Sequence, residues 1–448
     1  MARIAVIGAG WAGLSTALAL QAQGHALSLF EMAPLPGGRA RSLPPDDAEP
    51  PLDNGQHILI GAYTETLDLL ASLGLPEERL FRRSPLQLTD AAGRGLRLPP
   101  GPPQPAFAWA VLRARHWSWA ARWSVLRHSL GWTLAGFRCR ESLTVRELCQ
   151  GLHRQPYDEL IAPLCVAALN TPAEHASARV FLRVLKDALF SGRGSADLLL
   201  PRQPLSALLP APALATLEAG GARVQLGRRA WLGRQPDGLW SVRTVGAVGA
   251  AGTDDAPEAF DAVVLACPAR EAARQVAELD ARWSAEAAAL RYEPIVTVYL
   301  RAEGQLPFPM VSLRESPSEP AQYLFDHGAL DLAPGRFAAV ISGAGAWLDR
   351  GPDGLAACAQ ATLAQVARQA PQLRQCRLER VITEKRATFA CTPGLQRPAA
   401  RIAPGLWAAG DYVEGPYPAT LEGAVRAGRQ AAQGLHAELQ AVAPRATH

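Results

Sequence analysis

The sequence predicts an α/β fold that begins with a Rossmann-like dinucleotide-binding βαβ unit. Three observations predict it, and they follow one another along the chain: an apolar strand at residues 4–7, the glycines Gly8, Gly10 and Gly13, and a second strand at residues 26–30 that ends at Glu31. In such a unit the first glycine makes a tight turn, the second lets the backbone approach a pyrophosphate, and the third lets helix and strand pack closely. We therefore expect a helix at about residues 14–23, with the pyrophosphate at its N-terminus.

Glu31 is the candidate ribose ligand of this unit. It lies 18 positions after Gly13, where an acid can accept hydrogen bonds from ribose hydroxyls. Its charge repels a 2′-phosphate, which disfavours NADP. The alternative is a chance glycine-rich turn, but the flanking strands and helix favour a nucleotide site.

The segment after Glu31 indicates which dinucleotide is bound. Residues 34–41 contain a double glycine with Arg39 and Arg41, which can place guanidinium groups and free N–H groups against phosphates. A polar cluster at residues 53–57 follows, where an NAD dehydrogenase would continue with regular βα alternation. Such a polar cluster suits a cofactor that extends beyond its pyrophosphate. The sequence therefore predicts FAD, bound by a Rossmann-like domain of the glutathione-reductase type.

The last part of the chain carries a second candidate nucleotide segment. A short strand ends at Gly410 and Asp411, and a helix begins near residues 420–422. The aspartate can accept hydrogen bonds from a ribityl or diphosphate region, and small residues let the helix N-terminus approach the cofactor. The alternative is an ordinary strand, turn and helix with Asp411 as the cap. With the N-terminal motif, the two extremities of the chain predict one nucleotide site.

Length, charge and cysteine usage narrow the function classes. The 448 residues allow two or three domains, and a net charge of +4 without a basic run does not indicate nucleic-acid binding. Seven scattered cysteines without a CxxC pair predict neither a disulfide framework nor a metal site. The first strand leaves no room for a signal peptide, and no apolar run predicts a spanning helix, so a cytoplasmic setting is expected.

The middle of the chain predicts a second, discontinuous α+β domain for the substrate. We assign residues 1–80, 196–290 and 388–440 to the FAD-binding domain, and residues 81–195 and 291–387 to the substrate domain. Residues 106–137 are helical and rich in tryptophan and arginine. They suit a partly buried helical lid, or alternatively a segment that binds the inner surface of the cell membrane with indoles at headgroup depth.

Motifs along the whole chain resemble one superfamily. They are GAGWAG, PGGRAR, DNGQHILIGAY, ALNTPAEHASA, FDAVVLACP, EKRATF and YPATLEGAVRAG. This set is similar to the flavin amine oxidase and phytoene desaturase superfamily, and within it to the bacterial hydroxysqualene dehydroxylases. The resemblance implies an enzyme that binds FAD non-covalently and reduces hydroxysqualene, a long-chain isoprenoid, to squalene with loss of water. A carotenoid or phytoene-type desaturase and a flavin amine oxidase stay open as alternatives.

The resemblance also implies roles for individual residues. The ADP half of FAD would be held by Gly8, Gly10, Gly13 and Glu31, with the backbone of Val224 at the adenine. The phosphate and flavin side would be lined by Gly38, Arg39, Arg41, Gly55 and Gln56. The ribityl chain would be held by Gly410, Asp411, Thr420, Leu421 and Ala424.

The dehydroxylation needs an acid, because hydroxide is a poor leaving group without a proton. The candidates are Glu422, Tyr417, His57 and Glu384. Three of them also have structural interpretations: Glu422 as an acid at a helix N-terminus, His57 as a flavin neighbour, and Glu384 as a partner of Arg386. No sequence feature identifies the electron donor that reduces the flavin.

A C30 hydrocarbon needs a long apolar tunnel. We expect its walls to come from residues 198–209, 107–123 and 295–300, which are rich in leucine or aromatic residues. Amine oxidases of this superfamily usually have a lysine beside the flavin and a cage of two aromatic residues. Here Lys385 is the only candidate for the lysine and Tyr417 the only candidate for the cage, so an amine substrate is disfavoured.

Overall fold

A computed structural model describes residues 1–43, 50–246 and 256–442. The strands of these residues are β1 Arg3–Ile7, β2 Ala26–Phe30, β3 Leu59–Ile60, β4 Phe81–Ser84, β5 Gln87–Thr89, β6 Gly95–Arg97, β7 Leu198–Pro201, β8 Arg223–Gln225, β9 Arg228–Arg234, β10 Trp240–Gly246, β11 Glu258–Phe260, β12 Ala262–Leu265, β13 Tyr292–Glu303, β14 Met310–Ser312, β15 Tyr323–Asp326, β16 Arg336–Ser342, β17 Arg374–Phe389, β18 Arg401–Ala403 and β19 Leu406–Ala408.

The helices lie between these strands along the chain, and one helix ends the described part. They are α1 Trp11–Ala22, α2 Thr64–Ser72, α3 Glu77–Leu80, α4 Pro103–Arg113, α5 Trp119–Leu134, α6 Val145–Leu148, α7 Arg154–Pro156, α8 Ala162–Leu169, α9 Ala178–Phe190, α10 Leu205–Leu208, α11 Pro210–Ala219, α12 Ala269–Val276, α13 Ala281–Ala288, α14 Gly345–Leu348, α15 Pro352–Gln369 and α16 Leu421–Val442, with a π-helical turn at Tyr157–Ile161 before α8.

The predicted Rossmann-like unit is confirmed. Its sheet has the order β18-β19-β12-β1-β2-β8, and β1 runs parallel to both β2 and β12. Residues 4–7 of the central strand are all buried, as expected for a parallel strand covered on both faces. The sheet takes strands from the start, middle and end of the chain, so its carboxyl edge brings distant segments together.

The glycines of the first turn are required by close backbone contacts. Gly8 has φ +112°, and a Cβ there would lie 2.6 Å from the Ala266 carbonyl oxygen. A Cβ on Gly13 would overlap the carbonyl oxygen of Gly8 itself. These contacts hold the turn tightly between β1 and α1, which leaves the first N–H groups of α1 free for a ligand.

The last helix packs on the first. A Cβ on Gly428 of α16 would overlap the Ala12 carbonyl oxygen of α1. The Ser15 and Thr16 hydroxyls of α1 donate to the Val425 and Gly428 carbonyls, each at 3.1 Å. This close approach places the N-terminus of α16 beside the glycine turn.

A second, antiparallel sheet carries the other layer of the molecule. Its order is β14-β15-β16-β13-β17, and α15 packs on it, while α4 to α9 form a helical layer. The α/β fold class is confirmed. The predicted domain boundaries stay a prediction, although β4, just after residue 80, pairs with β7 from the segment that we assigned to the other domain.

The tryptophan-rich segment forms two helices rather than the single helical region that we predicted, and its local sequence explains the break. It divides into α4 and α5 at residues 114–118, because Ser118 caps α5 by accepting a hydrogen bond from the Ala121 N–H. Trp117 is buried at this break, and its indole N–H donates to Glu159 at 2.7 Å. Among the described helices, none is both long and apolar enough to cross a bilayer.

Candidate active site

A cavity of about 990 Å³ begins at the glycine turn and continues between the second sheet and the helical layer. Its first part is lined by the loops that follow β1 and β2, by residues 54–57, and by residues 410–424. Its second part is lined by apolar side chains, among them Phe107, Leu126, Phe181, Ile295 and Phe325. One continuous space therefore joins a polar, glycine-lined groove to an apolar chamber.

Glu31 lies at the end of β2, at the edge of the groove. Its Oε2 accepts from the Ala9 N–H at 2.7 Å, and its Oε1 accepts from the Ala33 N–H at 2.8 Å. The Gly37 N–H donates to the Ala9 carbonyl at 2.8 Å, so the double-glycine loop packs against the first glycine turn. The carboxylate is thus fixed beside the turn, as a ribose ligand would need to be.

An ion pair joins the two extremities of the chain. Arg39 Nη2 donates to Asp411 Oδ1 at 2.6 Å, and Arg39 Nη1 donates to the Ala387 carbonyl at 2.7 Å. The Asp411 side chain is 8% exposed, whereas that of Arg39 is 39% exposed. Arg41 bonds the Gly38 carbonyl and stiffens the same loop. The cavity wall here combines the double-glycine loop, the end of β17 and the C-terminal motif.

Tyr412 gives independent evidence that the groove fits a polar ligand. Its hydroxyl is buried and has no hydrogen-bond partner among the described residues, although Tyr412 lines the cavity. Buried hydroxyls in proteins are normally hydrogen-bonded. A polar ligand in the groove would supply the partner, and the glycine turn leaves the space for it.

Residues 54–57 form the floor between the polar and apolar parts. Gln56 Oε1 lies 3.0 Å from His327 Nε2, and His57 Nδ1 lies 2.9 Å from the Gly55 carbonyl oxygen. Burial lowers the pKa of His57, and the nearby Arg39 lowers it further. His57 is therefore neutral at neutral pH, with Nδ1–H donating to Gly55.

Val224 does not line the cavity, in contrast to our expectation for the adenine contact. It lies on β8, the edge strand of the parallel sheet, where it pairs with Leu29 of β2. The chain then turns at Gly227, whose N–H donates to the Ala33 carbonyl at 3.0 Å, and β9 brings residues 228–230 to the cavity. Ala230, unlike Val224, therefore lies on the cavity wall, and the residue that contacts the adenine stays a prediction.

The four candidate acids have different surroundings. Glu422 is fully buried and does not line the cavity. Its carboxylate accepts from the Glu65 N–H at 3.1 Å, from the Thr66 N–H at 2.9 Å, from the Thr66 hydroxyl at 2.7 Å and from Arg426 Nε at 2.7 Å. It therefore caps the N-terminus of α2 and leaves no free position for a substrate.

Tyr417 and Glu384 line the cavity together with His57. Glu384 accepts from the Asn54 amide at 3.2 Å and from the Arg386 N–H at 3.1 Å. The Tyr417 hydroxyl donates to Asp187 at 2.7 Å. These residues, unlike Glu422, face the space in which a ligand would lie.

The comparison with known proteins gives the family. The profile of the flavin containing amine oxidoreductase family matches residues 11–436. The chain belongs to this family. It is therefore an FAD-dependent oxidoreductase, and the predicted cofactor is confirmed.

Individual relatives match this flavin oxidoreductase over different shares of its chain. Hydroxysqualene dehydroxylase of Rhodopseudomonas palustris is 30% identical over 95% of this chain and 96% of its own length. Zeta-carotene desaturase of Zea mays is 31% identical, but over only 22% of this chain and 18% of its own length. An oxidoreductase structure from Methanosarcina mazei matches 96% of this chain and 100% of its own chain with a TM-score of 0.72 at 15% identity, which supports the fold alone. The resemblance to hydroxysqualene dehydroxylases is confirmed.

The structure of this flavin oxidoreductase also reveals site residues that the sequence did not indicate. Asp187 and Asn170 line the cavity, and Arg183 bonds both Asp187 and Tyr417. The arginine and aspartate stand four residues apart on an amphipathic helix, which by itself reads as a solvent-exposed ion pair. No local signal distinguishes them from such a pair.

The predicted apolar walls are correct only in part. Phe107, Leu198 and Ile295 line the cavity. Leu205 and Leu208 of the leucine-rich stretch instead pack in the core beneath the parallel sheet. The stretch divides because Leu198 and Leu200 of β7 pack with residues of the second sheet, whereas Leu199 packs in the same core as Leu205 and Leu208.

Proposed function

We propose that this protein removes the hydroxyl group of hydroxysqualene and releases squalene, using reduced FAD. The observation that carries the proposal is the continuous cavity, in which the groove for a dinucleotide opens into an apolar chamber. A C30 hydrocarbon chain gains free energy when it leaves water for such a chamber, at about 25 cal/mol per Å² of apolar surface. The relationship to a hydroxysqualene dehydroxylase over nearly the full chain supports the same substrate.

The residues around the groove fit FAD. The first turn of α1 would hold the pyrophosphate, Glu31 the ribose and the Ala230 backbone the adenine. Arg39 and Asp411 would bind the phosphate and ribityl region, and the unpaired Tyr412 hydroxyl would gain a partner. Three sets complete the proposed site: Gly8, Gly10 and Gly13 on the ADP side, Gly38, Arg41, Gly55 and Gln56 on the phosphate and flavin side, and Gly410, Thr420, Leu421 and Ala424 at the ribityl chain.

The protein's own residues must deliver a proton to the departing hydroxyl. Reduced FAD supplies the hydride when it is bound. His57 is a poor donor because it is neutral, and Glu422 is committed to the cap of α2. Tyr417 and Glu384 are the two candidates that line the cavity and stay open to a ligand. The apolar chamber would exclude bulk water from the reaction.

Anaerobic single-turnover measurements test the function. Photoreduced enzyme is mixed with hydroxysqualene, flavin reoxidation is followed by absorbance, and the product is extracted. We expect reoxidation with formation of one squalene per flavin. Reduction of the oxidised flavin by phytoene or by an amine, with no reoxidation of the reduced flavin by hydroxysqualene, would favour a desaturase or an amine oxidase instead.

We further propose that α4 and α5 contact an anionic membrane surface, from which an insoluble substrate would enter. Six of the ten exposed large hydrophobic residues in the described ranges lie on these two helices: Trp109, Leu112, Trp119, Trp123, Leu130 and Leu134. Residues 91–140 contain eight arginines and no acidic residue. Leu130 is 59% exposed and also lines the cavity, so the mouth of the cavity lies within this surface.

Flotation on vesicles tests this contact. We expect the protein to float with phosphatidylglycerol vesicles and less with neutral phosphatidylcholine vesicles, because the arginines favour anionic lipid. The double variant Trp119→Ser/Trp123→Ser should stay at the bottom of the gradient. The control Leu279→Ser, which removes an exposed leucine elsewhere, should float like the wild type. Equal recovery of wild type and double variant would contradict the proposal.

A further inference from the structure

Three polar side chains form a closed cluster where α9 meets the loop before α16. The Tyr417 hydroxyl donates to Asp187 Oδ2 at 2.7 Å, Arg183 Nη2 donates to Tyr417 Oη at 3.1 Å, and Arg183 Nε donates to Asp187 Oδ2 at 2.9 Å. Asp187 and Tyr417 line the cavity, and the neighbouring α9 side chains on that wall, such as Val184 and Leu185, are apolar. The cluster therefore puts a charged acceptor on an otherwise apolar wall.

The cluster has unused hydrogen-bonding capacity on the cavity side. Both protein donors reach Oδ2 of Asp187, while Oδ1 has no partner among the described residues. The Asp187 side chain is only 17% exposed. A half-satisfied carboxylate on an apolar wall favours a ligand that carries a hydroxyl group over the corresponding hydrocarbon.

Charges of both signs surround Tyr417: Arg183 and Arg426 favour loss of its proton, whereas Asp187 opposes it. The guanidinium carbons of Arg183 and Arg426 lie 5.0 Å and 5.2 Å from the centre of its ring. Burial, together with the hydrogen bond to Asp187, raises the pKa of Tyr417, so the hydroxyl stays protonated at neutral pH. Two cations beside the ring would stabilise the phenolate that forms when the proton leaves.

We propose that Asp187 and Tyr417, positioned by Arg183, bind the hydroxyl group of the isoprenoid alcohol; this inference rests on the dehydroxylation proposed above. The substrate O–H donates to Asp187 Oδ1, and the Tyr417 hydroxyl turns from Asp187 to the substrate oxygen. As the C–O bond breaks, the oxygen keeps the bonding electron pair, takes the Tyr417 proton and leaves as water. The carbon receives the hydride of the reduced cofactor, and the phenolate of Tyr417 regains a proton from solvent.

Binding measurements on oxidised, FAD-loaded enzyme test this subsite without turnover. Hydroxysqualene and squalene are titrated in detergent micelles, and the dissociation constants are obtained from quenching of tryptophan fluorescence. We expect the wild type to prefer the alcohol by about tenfold or more, because one hydrogen bond involves a charged group. Asp187→Leu and Tyr417→Phe should each lose most of this preference while still binding squalene.

The matched control is Asp158→Leu, because Arg154 and Asp158 form an exposed ion pair with the same spacing on the chain. It should keep the preference for the alcohol. Variants at 187 and 417 that weaken both ligands equally, or that keep the preference, would show a structural role only and overturn the inference. A wild type that prefers the alcohol but forms no squalene on single turnover would instead refute the proposed reaction and leave the hydroxyl subsite standing.

Discussion

Replacement of Glu422 by glutamine separates a helix cap from a proton donor. The carboxylate accepts four hydrogen bonds, two at each oxygen, from Glu65, Thr66 and Arg426. A glutamine can satisfy one pair of donors, but its NH₂ group must then face the other pair. Leaving buried donors unpaired costs about 1–3 kcal/mol each, so we expect Glu422→Gln to lose about 2–5 kcal/mol of unfolding free energy.

The assay combines urea unfolding, followed by circular dichroism, with single-turnover flavin reoxidation. The folded variant should reoxidise within about twofold of the wild-type rate, whereas loss of a general acid slows a reaction by about 10²–10⁴-fold. The control Glu65→Gln removes the partly exposed ion pairs of Glu65 with Arg426 and Arg429 at the same helix and should cost less than about 1 kcal/mol. A Glu422→Gln enzyme of wild-type stability that no longer reoxidises its flavin would refute the capping role.

Three further predictions follow from single contacts. Gly13→Ala should purify without visible flavin absorbance, because its Cβ overlaps the Gly8 carbonyl, whereas the control Gly131→Ala, in open space on α5, should bind FAD and gain up to about 1 kcal/mol of stability. Arg39→Ala leaves the buried Asp411 unpaired, so we expect about 3–5 kcal/mol of lost stability and a lower ratio of flavin to protein absorbance; unchanged values would contradict the ion-pair argument. Burial raises the pKa of Asp53 to about 6 from 3.8, so the native state holds this proton more tightly and stability falls as pH rises from about 4 to about 6. Asp53→Asn should abolish this pH dependence. In urea unfolding at pH 8 the variant should be up to about 3 kcal/mol more stable than the wild type, and this difference should vanish near pH 4.

The N-terminal unit was predictable because its determinants are local. Gly8 and Gly13 are required by backbone contacts within one turn of chain and its neighbouring strand, and the predicted second strand at residues 26–30 is observed with the same bounds. The C-terminal strand and helix were predictable for the same reason. Val224 stays a predicted adenine contact, but it does not line the cavity, because the register of the parallel strands and the turn at Gly227 bring residues 228–230 there instead. Neither feature leaves a mark in composition.

The dinucleotide unit follows from consecutive residues alone, because glycine sterics and the alternation of strand and helix are local, and the motifs along the chain carry the resemblance to the flavin family. Which acid serves as a cap, and which polar group meets the cavity, depends on contacts between distant segments. Glu422 reaches Thr66 across 356 positions, and Tyr417 reaches Asp187 across 230. Such pairs form because α16 packs against α1 and α2, and because the loop before α16 meets α9. Their chemistry depends on partners that no local pattern contains.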